Sequence, residues 1–357
     1  MAEPIRIGAV YARLPSNTGT LEQLLGVQLA AAHTRRLWGA AGPGIELIEH
    51  EVPTDAAAAE AAGRELVQDH GCAALIEMST IPAAVRMAQW CEGEGVLFMT
   101  AHNNPVVREG RRRAFGIGVP SELTGQGTAE FLAEGLGAKR AFVINEPNEF
   151  QSFASDCAAK DLTRRGVTVE RGELLPDSAA QLGLARRVRD WAPEAVSLWS
   201  GGELDAAVAL VSAFVDEAGA LPPTVFSRSM TCQEFVDRVG GALEGQYFVD
   251  MFVRGEKASD EERALLAALA QHDRALAPTA NHAFGWDGLR LVAEATRAAG
   301  PNADAQVAYL ERLKNYPGTT GRLNFAADDH NGHFQANPTT ISRLEGGRFM
   351  PFSAMNR

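Results

Sequence analysis

The sequence predicts an α/β protein of two doubly wound, parallel-sheet (Rossmann-like) lobes. Three observations predict it. Short runs rich in Val, Ile, Leu and Phe alternate with longer segments carrying Ala and Leu at three- and four-residue spacing, and parallel neighbours need crossovers for which a helix is the usual solution. The alternation begins afresh at Ser121, giving two similar halves. With 357 residues, 46% apolar and 22% charged, the chain has the length of about two domains and the composition of a globular protein, and no window reaches the roughly 18 consecutive apolar residues of a membrane span.

In the first half the spacing predicts strands over Ile5–Ala12, Ile45–Val52, Ala73–Met78 and Val96–Ala101, separated by helices over Thr20–Gly39, Asp55–His70 and Ile81–Glu92 and followed by a short apolar segment over Arg113–Gly118. The second half reads as helix Ser121–Leu136, strand Ala141–Glu146, helix Phe150–Arg165, strand Thr168–Leu174, helix Ala179–Trp191, strand Ala195–Ser200, helix Glu203–Ala218 and strand Thr224–Ser229. These strands are short and rich in Val, Ile, Leu and Phe, as expected of a sheet covered on both faces. Gly245–Met251 follows, then helices over Ser259–Leu276, Asn281–Ala299 and Asp304–Lys314. The tail alternates in Gly321–Ala326 and Thr339–Leu344, and Gly346-Gly347 turns the chain into Arg348–Met350, which predicts a terminal pair or triplet of strands.

Composition excludes several functions. The 45 acidic and 33 basic residues give a net charge of -12, which repels phosphate backbones, and no helix-turn-helix precedes Ile5, so nucleic acid is not expected as a partner. Arg111–Arg113 is expected to be a solvated loop. Cys72, Cys91, Cys157 and Cys232 lack metal or redox spacing; Cys72 and Cys91 flank one strand-helix unit, and spacing leaves open whether they bridge or are small buried hydrophobes. The Gly-rich dinucleotide and triphosphate motifs, the Gly-x-Ser-x-Gly elbow and His-Glu-x-x-His are absent, so no cofactor or metal is expected. His330 and His333 flank an Asn-Gly turn and are expected to be solvated there. A catalytic reading would use His102 or His282 as general base, but no base-nucleophile pair supports it, and no enzyme is expected.

Open α/β sheets bind ligands outside the carboxyl ends of their strands. Ser79 and Thr80, with Pro82 in the first turn, open a helix whose N–H groups suit an anion. Thr100, Ala101 and His102 begin a polar loop after a buried strand, combining hydroxyl, carbonyl, amide and imidazole. In the second half, Asn145–Phe150 offers Phe150 as an apolar wall, and Gly201 lets a backbone approach a ligand. Arg228 and Ser229 end a strand, where the guanidinium either clamps a carboxylate with two hydrogen bonds or stays exposed at the rim. Phe284 lies in the aromatic and polar opening of a long helix, Asn281–Asp287.

The order and spacing of Ile5-Arg6-Ile7-Gly8-Ala9-Val10, Leu25-Gly26-Val27-Gln28-Leu29-Ala30, the alanine-rich helix from Asp55, Val96–Ala101, Phe142-Val143-Ile144, Glu244-Gly245-Gln246-Tyr247, Gly285–Leu289 and Gly318–Phe325 resemble the leucine/isoleucine/valine-type group of type I periplasmic binding proteins over nearly the whole chain. The resemblance implies two lobes joined by three crossovers, near Gly118, Asp250 and Leu323, with a ligand cleft between them. The lobes would comprise 1–118 with 251–323, and 119–250 with 324–357. It also implies a carboxylate site at Ser79 and the Thr100–His102 loop, and an aromatic wall at Phe150. One departure stands out. Where amino-acid binders of this group supply an acid for the ligand ammonium, this sequence reads Ser227-Arg228-Ser229, which directs expectation from a simple amino acid towards an organic or aromatic acid or an amino-acid derivative.

The expected function is therefore a non-enzymatic solute receptor that closes by a hinge and delivers a small polar solute, a carboxylate, to ABC permease subunits. The alternative is a cytoplasmic amide- or urea-type sensor regulating a partner protein. Residues 1–4 run straight into a strand without an apolar signal segment, which fits the sensor, or a periplasmic or extracellular protein whose leader has been trimmed.

Overall fold

The structure, a computed structural model, describes residues 3–14, 19–201, 204–252, 258–274, 276–333 and 337–352, with the side chains of Glu149 and Phe150 outside that description. The chain runs β1 (Ile5–Ala12), α1 (Gly19–Trp38), β2 (Ile45–Val52), α2 (Ala56–Gln68), β3 (Ala74–Met78), α3 (Ile81–Glu94), β4 (Leu97–Thr100) and β5 (Ala114–Gly116). It continues with α4 (Ser121–Glu130), β6 (Arg140–Asn145), α5 (Glu149–Arg164), β7 (Thr168–Glu173), α6 (Ser178–Trp191), β8 (Ala195–Trp199), α7 (Leu204–Ala218), β9 (Thr224–Phe226), α8 (Gln233–Val239) and β10 (Tyr247–Asp250). Then come α9 (Asp260–His272), α10 (Ala280–Ala299), α11 (Ala303–Glu311), β11 (Tyr316–Gly318), β12 (Gly321–Leu323), β13 (Thr340–Glu345) and β14 (Arg348–Pro351). Among the described residues, no helix is long and apolar enough to cross a membrane.

Two units emerge, Met1–Pro120 with Lys257–Ala336 and Ser121–Glu256 with Asn337–Arg357, so the chain passes between them three times. The third passage departs most from the sequence reading, which placed it near Leu323. Residues beyond β12 stay in the first unit because they extend its sheet: Gly116 N–H donates to His330 O and Gly332 N–H to Gly116 O, both at 2.9 Å, and Phe325 packs edge-on against Phe115. The predicted tail strand over Gly321–Ala326 is accordingly the second arm of the β11–β12 hairpin, and the tail pair is β13–β14.

The first unit holds a wholly parallel sheet ordered β2-β1-β3-β4-β5. All five residues of β3 are buried, as a central strand covered on both faces requires. Its helices start where the sequence places caps. Asp55 accepts from Ala58 N–H at 2.8 Å, and Ser259 Oγ and Asn302 Oδ1 do the same for α9 and α11. Helices α1 and α10 cross without side chains between them at one point: a β-carbon on Gly26 would lie 2.1 Å from His282 O, and one on Gly285 would lie 1.9 Å from Gln23 O. Further along α10, buried Asp287 accepts from the Thr319 N–H (2.9 and 3.0 Å to its two oxygens) and the Thr319 hydroxyl (2.8 Å), fixing the turn of the β11–β12 hairpin.

The second unit repeats the plan. Its sheet is ordered β14-β13-β10-β9-β8-β6-β7, with parallel pairing from β10 through β7 and two antiparallel strands added at one edge. Its core includes Phe142, Phe214, Phe226, Phe235 and Phe248, with the Phe226 and Phe248 rings stacked 5.0 Å apart.

Other expectations need correction. Within the basic run only Arg112 is exposed; Arg113 binds Glu92 and Asp304, and Arg111 reaches the carbonyls of Val106 and Val107. Cys72 and Cys91 are free thiols buried in one apolar cluster, and burial raises the Cys72 thiol to about 11. His330 and His333 are not solvated. His330 stacks on Phe115 at 4.0 Å and meets Glu311 at 3.2 Å, while His333 is buried and its ring is pushed down to about 4 by desolvation.

That burial has a measurable sign. His333 folds neutral, so its contribution to stability is present in full above its ordinary value of 6.5 and is lost as pH falls towards 4, a change of about 3 kcal/mol. Urea unfolding of the wild type and His333→Gln at pH 7 and pH 4.5 should show the variant lacking that slope; parallel pH dependence in the two proteins would sink this assignment.

Candidate functional site

In both units the chain reverses its winding at the first strand: β1 lies between β2 and β3, and β6 between β7 and β8. Ligands of open α/β sheets bind outside the carboxyl ends at such a switch point. In the first unit these ends carry Ser79, Thr80, Thr100, Ala101 and His102, and the structure brings them together around a residue the sequence reading missed, Glu77.

Glu77 is on β3 and is 0% exposed. One of its oxygens accepts from the Ser79 backbone N–H (2.6 Å) and the Ser79 hydroxyl (2.5 Å), and the other accepts from the Thr100 hydroxyl (3.0 Å). Thr100 Oγ1 accepts in turn from the His102 N–H at 3.1 Å, and His102 Nε2 lies 3.6 Å from the second Glu77 oxygen. Thr80 caps α3, its hydroxyl oxygen accepting from Ala83 N–H at 3.4 Å. A charged residue inside the otherwise apolar run Ala74-Leu75-Ile76-Glu77-Met78 was the signal available in the sequence.

The loop after β4 is held on every side. Asn103 Nδ2 donates to Val119 O at 2.8 Å, Arg108 donates to His102 O at 2.9 Å, and Asn104 Oδ1 caps the short turn over Pro105–Val107. Gly118 lies directly beneath: a β-carbon there would come within 2.0 Å of Ala101 O, so only glycine allows this approach. His102 is half-buried in this setting. His282, the other candidate base, is buried and its Nδ1 accepts from Thr279 N–H at 3.1 Å as part of the α10 cap. Desolvation lowers its ring.

In the second unit Glu146, just beyond β6, accepts from the Ser200 hydroxyl (3.1 Å) and the Gly201 N–H (2.8 Å). Ser200 is tied to Ser227, whose hydroxyl donates to Ser200 O at 2.9 Å. Of the predicted strand end, β9 stops at Phe226; Arg228 is half-buried on the following turn and Ser229 is exposed, so Ser227 rather than Ser229 is the hydroxyl joined to the neighbouring strand end. The Phe150 side chain lies outside the described residues. Phe284 is 1% exposed in the first unit and offers a solute no surface in this structure. A cavity of about 680 Å³ on the β7 side of the second unit is lined by Asn145, Ser152, Arg171 and Arg187, but Arg171 is paired with Asp156 and Arg187 with Glu170. Among the described residues, no group of three or more His, Cys, Asp or Glu side chains is placed to hold a metal ion.

At buried strand ends the arrangement presents hydroxyl oxygens, backbone groups and a half-buried imidazole. Where the sequence suggests a solute carboxylate at Ser79, the Ser79 N–H and hydroxyl both donate to Glu77.

A sequence family described as periplasmic binding protein matches residues 4–348. A comparison with curated proteins finds no match. Solved structures similar to this chain include a leucine-binding protein of Thermotoga maritima (19% identity, 98% of each chain, TM-score 0.77). Another is a branched-chain amino acid transporter substrate-binding protein of Streptococcus pneumoniae in complex with isoleucine (20% identity, 97% of this chain and 98% of that one, TM-score 0.80). A third is a solute-binding protein of an ABC transporter from R. palustris in complex with 4-hydroxybenzoate (16% identity, 98% of this chain and 96% of that one, TM-score 0.76). At these identities the likeness is one of fold.

Proposed function

This chain belongs to the periplasmic binding protein family, and from that premise we propose that it is the solute receptor of an ABC transporter, taking up a small polar solute by hinge closure of its two lobes. Its place of work on this reading is the periplasm or cell exterior, its partners are the permease subunits, and it releases its solute chemically unchanged. The observation that carries the reading is the convergence of Ser79, Thr100, Ala101 and His102 on one rigid set of strand ends, where hydrogen-bonding groups are held away from bulk water. Two solute classes follow. Isoleucine and 4-hydroxybenzoate in the solved neighbours favour a carboxylate, whereas the commitment of the Ser79 proton to Glu77 favours an amide or another N–H donor, the class of the cytoplasmic-sensor alternative.

A thermal-shift screen of ligand-stripped protein tests the reading, using amino acids, short amides and urea, dicarboxylates and aromatic carboxylates. A solute that binds the native state adds about 2.7 kcal/mol of stability at one hundred times its Kd. The expected result is a rise of several degrees with at least one class. A flat response across all of them would remove the receptor assignment.

A further inference from the structure

We propose that Glu77 determines which solutes the first unit accepts: by taking the hydroxyl protons of Ser79 and Thr100, it leaves their oxygens as acceptors and selects solutes that present N–H donors over the matching carboxylates. The inference rests on the solute-receptor reading above and specifies its ligand class.

An anion seat needs donors. At Ser79 and Thr100 the hydroxyl donors are already committed. The Ser79 N–H, the Ser79 O–H and the Thr100 O–H all end on Glu77, at 2.6, 2.5 and 3.0 Å. A hydroxyl has one proton and two lone pairs, so each of these oxygens keeps acceptor capacity and has no second proton to give; Thr100 uses one lone pair on the His102 N–H. At the start of α3 Pro82 has no N–H and Ala83 N–H is capped by Thr80, so the second and third positions of the first turn offer a solute no donor. At the Ser79 and Thr100 oxygens a solute carboxylate would meet acceptors where it requires donors, close to a wholly buried carboxyl group and in a setting that screens charge poorly.

The second unit reaches the same result with different residues. At its own switch point the Ser200 O–H and the Gly201 N–H end on Glu146. In each of the two strand-end clusters a serine hydroxyl and a backbone N–H are thus spent on a protein carboxylate. A primary amide, a urea or an amine brings the protons these oxygens lack.

Because Glu77 acts through Ser79 and Thr100 it is a positioning residue, and the test reads selectivity instead of affinity alone. Wild type and Glu77→Gln are titrated by calorimetry and thermal shift with the pairs propionamide and propionate, benzamide and benzoate, leucinamide and leucine. In the wild type the amide of the best-bound pair should bind at least tenfold more tightly than its acid. In Glu77→Gln, where the new amide N–H faces Thr100 and frees its hydroxyl proton, that ratio should shrink or reverse. A variant that weakens both members equally has lost only structure, and that result overturns the proposal. A wild type that prefers acids overturns it too while leaving a solute receptor standing, and no response to any pair overturns this inference while the receptor reading is decided by the wider screen above. Should Glu77→Gln fail to fold, Ser79→Ala supplies the second test: amides should weaken at least tenfold and acids should not, and equal weakening overturns the proposal.

Discussion

Gly285→Ala should cost the first unit at least about 3 kcal/mol, at or above the upper end for overpacking a core. The added β-carbon falls 1.9 Å from Gln23 O, 2.8 Å from Gln23 C and 2.9 Å from Val27 N. These are backbone atoms of a helix and cannot rotate aside as a side chain would. The α1–α10 crossing must open, and it carries Leu24, Val27 and Ala30 on one side and Phe284, Trp286 and Leu289 on the other, all buried. Gly183→Ala is the control, because nothing lies within 4 Å of its β-carbon and it sits within α6; a solvent-facing glycine in a helix gains up to about 1 kcal/mol on this change. Urea unfolding followed by circular dichroism compares the two. A Gly285→Ala protein within about 1 kcal/mol of the wild type would mean that the helices do not touch backbone to backbone.

The other large effect appears as a pH dependence. Burial raises the Asp287 carboxyl from 3.8 to about 7, against the opposing pull of its Thr319 donors. The folded state therefore holds a proton that the unfolded chain has released. Stability from this group is present in full below pH 3.8 and is lost as pH rises through 7, a change on the order of 4 kcal/mol. Asp287→Asn has nothing to titrate, and its amide can still accept from Thr319 N–H while donating towards the Thr319 hydroxyl. The gap between variant and wild type should move in favour of the variant by several kcal/mol from pH 4 to pH 8; an unchanged gap would show that Asp287 carries no charge penalty. The histidine at 333 acts in the opposite direction over pH 6.5 to 4, so the wild type alone shows a partly cancelled curve and the two variants separate the contributions.

The central parallel strands, β4 and β8 among them, were legible because burial on both faces leaves a largely apolar run, which identifies a strand and its length at once. That habit of reading hid Glu77. Five consecutive buried positions contain one carboxylate, and an apolar-run reading passes over it, although a charge with no solvent face was the most informative residue in the segment. The two turn histidines failed for a different reason. Asn331-Gly332 does make a turn, but turn chemistry is local, and what buries His330 and His333 is the docking of that turn against β5, a contact separated by about two hundred residues of chain. Phe284 and Ser229 were misplaced by orientation. A helix buried nearly all round, as α10 is, has no amphipathic stripe to say where an aromatic points, and the end of β9, three residues earlier than expected, decides whether Ser227 or Ser229 meets the next strand. The Ser79–Thr100–His102 grouping was legible from topology, while its polarity was not, because that depends on which way two protons point.

The glycine beneath the Ala101 carbonyl has a consequence for the thermodynamics of capture. An Asn-rich loop left to itself would be ordered by its ligand, and each binding event would then carry the entropy of freezing it. Here the loop is pinned by Gly118 below and by Asn103, Asn104 and Arg108 around it. Its disorder is removed once, when the unit folds. On the solute-receptor reading proposed above, that cost would not recur with each binding event, so affinity could be high with few contacts, at the price of a loop that adapts poorly to a solute of another shape.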